Sequence, residues 1–212
     1  MSDERKAVFI GDGATGKSAL LMTHCEKRFP MEYVPTVFET HNINIAYRPD
    51  SSKQCALSLW DTAGQEEYDR LRPLSYPDAN VIVICFKLAG ATARHSYNSV
   101  MNKWWPEARH FCPKTPLVLV GTQCDVRDEY ERMPEDQARA LGDREMIVID
   151  PEEGESMRRA IKAAMYIETS AKTMTPEELE GVFQKIASVA MGEDKSGVAQ
   201  LLRKPAKHCI IM

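Results

Sequence analysis

Eight consecutive residues constrain this chain more than any others: Gly11-Asp12-Gly13-Ala14-Thr15-Gly16-Lys17-Ser18. They fit the pattern G-x-x-x-x-G-K-[ST] in full, directly after the apolar run Ala7–Ile10 and ahead of a helical pattern over Lys17–Lys27. The residue types follow from what a polyphosphate needs. Glycines let backbone N–H groups wrap around phosphate oxygens, and the start of a helix adds positive potential. Lys17 reaches the outer phosphates, and the Ser18 hydroxyl suits Mg²⁺, which takes oxygen ligands and keeps several waters. Alone, the motif specifies a nucleoside triphosphate and leaves the base and the reaction open.

The rest of the chain supplies the frame such a loop requires. Short apolar runs at Ala7–Ile10, Ile43–Tyr47, Cys55–Trp60, Val81–Phe86, Leu117–Val120 and Tyr166–Glu168 suit strands buried on both faces. Helical patterns lie between most of them, at Lys17–Lys27, Glu67–Leu71, Ser96–His110, Pro151–Ala164 and Pro176–Ala190. The last has a clear start: Thr175 as cap, Pro176 at the first position and Glu178 to complete a capping box. This alternation predicts an α/β P-loop fold of three layers, with a six-stranded, mostly parallel sheet and helices on both faces. The turn-rich linker Arg48–Ser52 joins the second and third runs as a hairpin, so one edge strand is antiparallel. One domain is expected over 5–190, with a charged surface insert near 126–150, followed by a polar, flexible tail over 191–212.

Composition narrows the function classes. A net charge of −4 gives no reason to expect nucleic-acid binding, and no stretch approaches the roughly 20 apolar residues of a membrane span. The charged start Met1–Lys6 argues against a signal peptide. Cysteines at 25, 55, 85, 112, 124 and 209 show no C-x-x-C pair and no metal spacing with histidine, which reads as reduced thiols of a cytosolic protein.

Beyond the phosphate motif the chain resembles the Ras superfamily, and within it the Rho/Rac branch. Trp60-Asp61-Thr62-Ala63-Gly64-Gln65-Glu66 carries the likeness, as do its continuation Glu67–Pro77, Phe29-Pro30, Tyr33–Phe38, Cys85-Phe86, Trp104-Trp105-Pro106-Glu107 and Glu168-Thr169-Ser170-Ala171-Lys172. It runs from about residue 6 to the last residue and is weakest over the hairpin turn and 126–150. The resemblance implies a GTP-hydrolysing switch that cycles between GTP and GDP with Mg²⁺ as cofactor. Gly11 to Ser18, with Ala19, would hold the phosphates. Ser18 and Thr36 would ligate Mg²⁺, and Asp61 would hold it through a water. The N–H groups of Thr36 and Gly64 would contact the γ-phosphate, and Gln65 would orient the attacking water. Phe29 would lie beside the base and Tyr33 over the phosphates. Loss of the γ-phosphate would release both switch segments.

Base choice has a chemical basis. Guanine presents N1–H and an exocyclic amine on one edge, from which one carboxylate accepts both; adenine has no such pair. Asp125, in Thr122-Gln123-Cys124-Asp125 after the run Leu117–Val120, stands where the family has that carboxylate. Ser170, Ala171 and Lys172 would close the other side, with the Ala171 N–H toward the guanine carbonyl. Two positions depart from the Ras form: Thr122 replaces Asn, as is usual in Rho/Rac-like members, and Gln123 replaces Lys. The stem of Gln123 can cover the base face but brings no charge.

Family members lack a cis arginine at the transferred phosphate, and an activating protein supplies it. Arg28 reads as a surface charge. Gly13 leaves room for Gln65 and an incoming arginine, so slow intrinsic turnover is expected, with Lys17, Thr36, Gly13 and Gln65 as the catalytic group. A P-loop kinase and a GTP-locked binding module are the rival readings. Asp61–Gln65 and Asp125 count against the first, Gly13 and Gln65 against the second. The chain ends Cys209-Ile210-Ile211-Met212, a C-a-a-X signal that favours farnesyl on Cys209, with Arg203, Lys204 and Lys207 as a weak basic supplement. Expected partners are a GTPase-activating protein, an exchange factor, effectors at the switch segments, a lipid-shielding dissociation inhibitor and a prenyltransferase. The protein is expected to be a monomer in the cytoplasm and on the cytoplasmic face of a membrane, the plasma membrane first. His41 stands where the branch generally carries Tyr, either as an effector contact or as a half-exposed strand residue.

Overall fold

In β1, Glu4–Ile10, alternate residues face opposite ways: Ala7 and Phe9 join one apolar cluster, and Val8 and Ile10 join another. β4, Val81–Lys87, repeats the pattern, with Val81, Val83 and Cys85 on the first side and Ile82, Ile84 and Phe86 on the second. A period of two with apolar residues on both faces is what a central strand covered on each side requires. The computed structural model describes residues 4–32, 36–48, 53–134, 136–137 and 147–192.

The other strands are β2 Phe38–Ala46, β3 Gln54–Thr62, β5 Leu117–Thr122 and β6 Met165–Thr169. They form one sheet in the order β2-β3-β1-β4-β5-β6. Only the β2–β3 pair is antiparallel, as the hairpin reading expects; turn residues 49–52 lie outside the described residues. β2 starts five residues before the apolar run Ile43–Tyr47, because its outer half is a polar edge with no apolar alternation to read.

Helices cover both faces. α1, Lys17–Glu26, and α6, Pro176–Ala190, pack Leu20, Leu21, Leu179, Val182, Phe183 and Ile186 on the first. α2, Ala93–Ser99, a π-helical turn at Val100–Trp104, and α3, Trp105–Phe111, follow one another on the second. α5, Pro151–Ile161, joins them there. The capping box expected at α6 is present: Glu178 N–H donates to Thr175 Oγ1 at 3.2 Å and Thr175 N–H to Glu178 Oε2 at 2.8 Å. A second box, Asp150 with Glu153, starts α5.

The stretch expected as helix over Glu67–Leu71 is instead a 3₁₀ turn, Glu66–Tyr68, and a plain turn, and a second 3₁₀ turn follows it at Arg72–Ser75. Pro73 removes an N–H donor that a continuing α-helix would need, and the segment offers few apolar side chains to bury. The ends of the charged region 126–150 belong to the body of the fold: α4, Cys124–Glu131, buries Cys124 and Arg127, and Ile149 is fully buried.

β1 lies between β3 on one side and β4 on the other, so the chain's crossovers diverge from it. Ligands of open α/β sheets sit outside the carboxyl ends of strands at such a point. The segments following β1, β3, β5 and β6 carry most of the sequence motifs.

Candidate functional site

The loop after β1 is possible only with glycine at its first position. Gly11 has φ +144°, and a Cβ there would lie 2.2 Å from the Cys85 carbonyl oxygen. Lys17, 5% exposed, turns back beneath the loop, its ammonium donating to the carbonyls of Gly11 at 2.8 Å and Asp12 at 2.9 Å. Burial lowers its pKa, while the nearby Asp61 opposes the shift. Thr15 Oγ1 donates to the Asp12 carbonyl at 2.8 Å. Gly16, at φ +86°, leads into α1.

The loop after β3 is pressed against this one. A Cβ on Gly64 would fall 2.3 Å from backbone atoms of Asp12 and Gly13, so the two loops touch backbone to backbone. Gln65 lies over Gly13, its Cγ 3.7 Å from where a Gly13 Cβ would be. A Cβ alone fits there, and the branches of a larger side chain would meet Gln65.

Asp61 is the least satisfied group in the region. It is 1% exposed, and neither carboxylate oxygen has a hydrogen-bond partner among the described residues. Burial pushes its carboxyl above the usual range, and Ser18 and Lys17 nearby pull the other way. The hydroxyls of Ser18 and Thr36 stand 2.7 Å apart. An orphaned buried carboxylate beside two hydroxyls is a hard oxygen donor set, and it fits Mg²⁺ better than a soft metal.

A cavity of about 320 Å³ is lined by Gly13, Ala14, Gly16, Lys17, Ser18, Ala19, Phe29, Thr36, Gly64, Gln65 and Gln123. A second, of about 180 Å³, shares Gly16, Ala19, Phe29 and Gln123 with it and extends to Thr122, Asp125, Ala171 and Lys172. Gly11, Asp12, Thr15, Asp61 and Ser170 line neither cavity. Ser170, fully buried, accepts from the N–H groups of Lys172 and Thr173 at 3.2 and 3.0 Å and shapes that loop from within. Tyr33 and Cys209 lie outside the described residues. Arg28 is an exposed charge 3.6 Å from Glu26. The His41 side chain is 15% exposed, more buried than a half-exposed reading implies, and its Nε2 is 3.8 Å from Glu39.

The second cavity is braced by Thr122. Its hydroxyl, on a residue 3% exposed, lies 2.5 Å from the Thr15 carbonyl and 2.9 Å from that of Phe86. This hydroxyl ties β5 to the phosphate loop. Gln123 takes the left-handed conformation, φ +61°, and begins α4. Asp125 follows in the first turn, and Arg127 anchors the helix by donating to both carboxylate oxygens of Glu168, at 2.9 and 2.5 Å.

Sequence reasoning missed Met22, Pro30 and Met31, which line the larger cavity, and the role of Trp104 and Arg72 behind it. Trp104 Nε1 donates to Asp12 Oδ1 at 2.6 Å. Residues 104–107 carried only a family likeness, and nothing in the local sequence ties residue 104 to residue 12.

Against known proteins, residues 6–191 match the family model described as Ras family. The chain is 42% identical over 186 residues to the Rho-related protein racC of Entamoeba histolytica, a match covering 88% of this chain and 89% of that protein.

Proposed function

The chain belongs to the Ras family and is a Rho/Rac-type GTPase switch, and from that premise we propose that Lys17, Ser18, Thr36, Asp61, Gly64 and Gln65 form the centre where bound GTP is hydrolysed. The observation that carries this reading is the buried Asp61 carboxylate, neither oxygen of which has a hydrogen-bond partner among the described residues, beside the Ser18–Thr36 hydroxyl pair and the buried Lys17 ammonium. A buried carboxylate left this short of partners is costly unless a ligand completes it. Ser18 and Thr36 would hold Mg²⁺, with Asp61 acting through a water, and when bound the metal neutralises charge on the β- and γ-phosphates.

The chain's own groups do the rest. Lys17 exchanges its two loop carbonyls for phosphate oxygens. The N–H groups of Thr36 and Gly64 are the donors to the γ-phosphate. Gln65 orients the attacking water over Gly13. Positioning and electrostatics are most of what phosphoryl transfer asks of a protein. Phe29, Gln123, Ala171 and Lys172 surround the base, and Asp125 accepts from the guanine N1–H and amine; Thr122 braces that loop. Gly11, Asp12, Ala14, Thr15, Gly16, Ala19 and Ser170 shape the cradle, and Tyr33 is assigned to cover the phosphates.

Regulators and effectors act on a switch of this type. Exposed Val37, Phe38, Leu71 and Leu74 on the two switch segments support docking there of an activating protein, an exchange factor and effectors. Residues 5–190 form the GTPase domain in this reading, with 191–212 as its tail. Prenylation of Cys209 by a prenyltransferase, shielding by a dissociation inhibitor and residence on the cytoplasmic face of a membrane are further parts of it. No described helix is long and apolar enough to cross a membrane.

The test is bound nucleotide and its turnover. Heat extraction of purified protein is expected to release GDP. Phosphate release from loaded GTP should be slow, faster with a Rho-activating domain, and blocked in Gln65→Leu. Recovered GTP with no acceleration would replace this reading by a GTP-locked binding module. Chelation with EDTA should speed nucleotide release; no effect would remove Mg²⁺ from the account.

A further inference from the structure

A chain of contacts runs behind the nucleotide cavity and closes on itself. Trp104, fully buried, sits at the end of the π-helical turn Val100–Trp104. Such turns are rare and recur at functional sites. Its indole N–H donates to Asp12 in the phosphate loop at 2.6 Å. The Arg72 guanidinium lies over its ring, 4.5 Å from the centroid. Arg72, whose side chain has no exposure, donates to the Ala63 carbonyl at 3.0 Å, next to Gly64 and Gln65. Gly64 then meets the Asp12 and Gly13 backbone.

The ring is held rigid from outside. Arg72 also donates to both oxygens of Glu107, at 2.7 and 2.9 Å, and to Asp69 at 2.6 Å. Tyr76 donates to Glu107 at 2.5 Å. Lys103 reaches Asp69 at 3.1 Å and stands 4.9 Å from the Trp104 ring centroid. Among the described residues the second Asp12 oxygen has no hydrogen-bond partner and lies 3.7 Å from Nε2 of exposed His95, so within them the indole is the main restraint on that carboxylate.

We propose that Trp104 is a positioning residue for GTP hydrolysis: its indole N–H fixes the phosphate loop relative to the Ala63–Gln65 loop and so sets the distance between Gly13 and Gln65. The inference rests on the assignment of Gln65 made above. The two loops carry the cradle of the transferred phosphate and the group that orients the water, and their separation is the quantity the reaction is sensitive to. Misplacement of about 1 Å in such a pair costs about 100-fold in rate. Trp104 touches neither substrate nor metal in this account and acts through Asp12 and Arg72.

The experiment uses the full chain. Trp104 is replaced by 3-benzothienylalanine, in which sulfur stands for the indole N–H at almost unchanged shape, and separately by Phe. Single-turnover GTP hydrolysis and GDP dissociation are measured with Mg²⁺, alone and in a Gln65→Ala background. The expected result is about tenfold slower hydrolysis in the isostere, GDP dissociation changed less than about twofold, and no further slowing once Gln65 is absent. A purely structural role predicts the same fractional loss in both backgrounds, or a loss tracking thermal stability, and either outcome overturns the proposal. So does an isostere of normal rate while Gln65→Ala is slow. If Gln65→Ala itself hydrolyses normally, the Gln65 assignment falls and takes the proposal with it. Trp104→Phe also shortens the side chain, and it should be slower still.

Discussion

Replacing Thr122 by Val removes one hydroxyl and keeps the branched shape. The Thr122 Oγ1 has a single proton for two carbonyls, 2.5 Å away on Thr15 and 2.9 Å away on Phe86. The deletion therefore counts as one hydrogen bond. Thr15 is 1% exposed, so its carbonyl gains little from water afterward. A lost bond with a buried acceptor left short costs about 1–3 kcal/mol. Because the bond joins the base loop to the phosphate loop, part of that cost falls on nucleotide retention. About 1.4 kcal/mol of it corresponds to tenfold faster GDP release. Release of a fluorescent GDP analogue with Mg²⁺, beside urea unfolding of the GDP complex, measures both. The single-turnover hydrolysis rate should change less than GDP release, since the Gly13–Gln65 pair is also held by the backbone contact of Gly64 with Asp12 and Gly13. Unchanged GDP release alongside reduced stability would refute the reasoning: the hydroxyl would then serve the core alone.

Three further outcomes follow from particular contacts. Burial, then the Lys27 charge, pushes the His24 pKa down to about 4, against about 6.5 unfolded. The folded state binds fewer protons between those values, so the contribution is whole above pH 6.5 and falls toward pH 4, by up to about 3 kcal/mol less the attraction of Glu180 at 3.8 Å. His24→Phe retains the stack on Phe183 and should flatten that slope in urea unfolding from pH 7 to 4; an equally steep slope would assign it elsewhere. Gly11→Ala meets a backbone oxygen at 2.2 Å with φ at +144° and should cost roughly 4 kcal/mol, read as loss of folded protein or of urea resistance. Asp125→Asn exchanges one acceptor for a donor and should weaken GDP by about 100-fold while favouring xanthine nucleotide; unchanged GDP affinity in a competition assay would remove Asp125 from the base site.

The parts legible in the sequence are those whose cause is local. The β1–loop–α1 unit could be read because Gly11 to Ser18 are contiguous and the apolar run before them is short. Likewise Thr175, Pro176 and Glu178 marked the start of α6 within four residues. The segment after Gln65 reads as helix because its charges resemble an exposed helical face, whereas in the fold Pro73 breaks it and Arg72 reaches Glu107 in α3. The start of β2 is not legible in the sequence because an edge strand needs no apolar alternation. Trp104 and Asp12 are separated by 92 residues, and only the folded chain brings them together. Thr122 was noted as a departure from Asn, but the brace it makes to Thr15 depends on how β5 and the phosphate loop are stacked.

β1 has consequences for changes of length. Its alternate residues serve two separate cores, and its last residue, Ile10, adjoins Gly11. One inserted or deleted residue in β1 would send Ala7 and Phe9 to the wrong side and Val8 and Ile10 to the other, and would carry the phosphate loop along by about 3.3 Å. Spacing between residues 7 and 17 is therefore closed to variation, while side chains at the cavity wall are not. A library meant to retarget this protein to an altered nucleotide should vary Met22, Met31 and Gln123 in place and leave every register upstream of Lys17 alone.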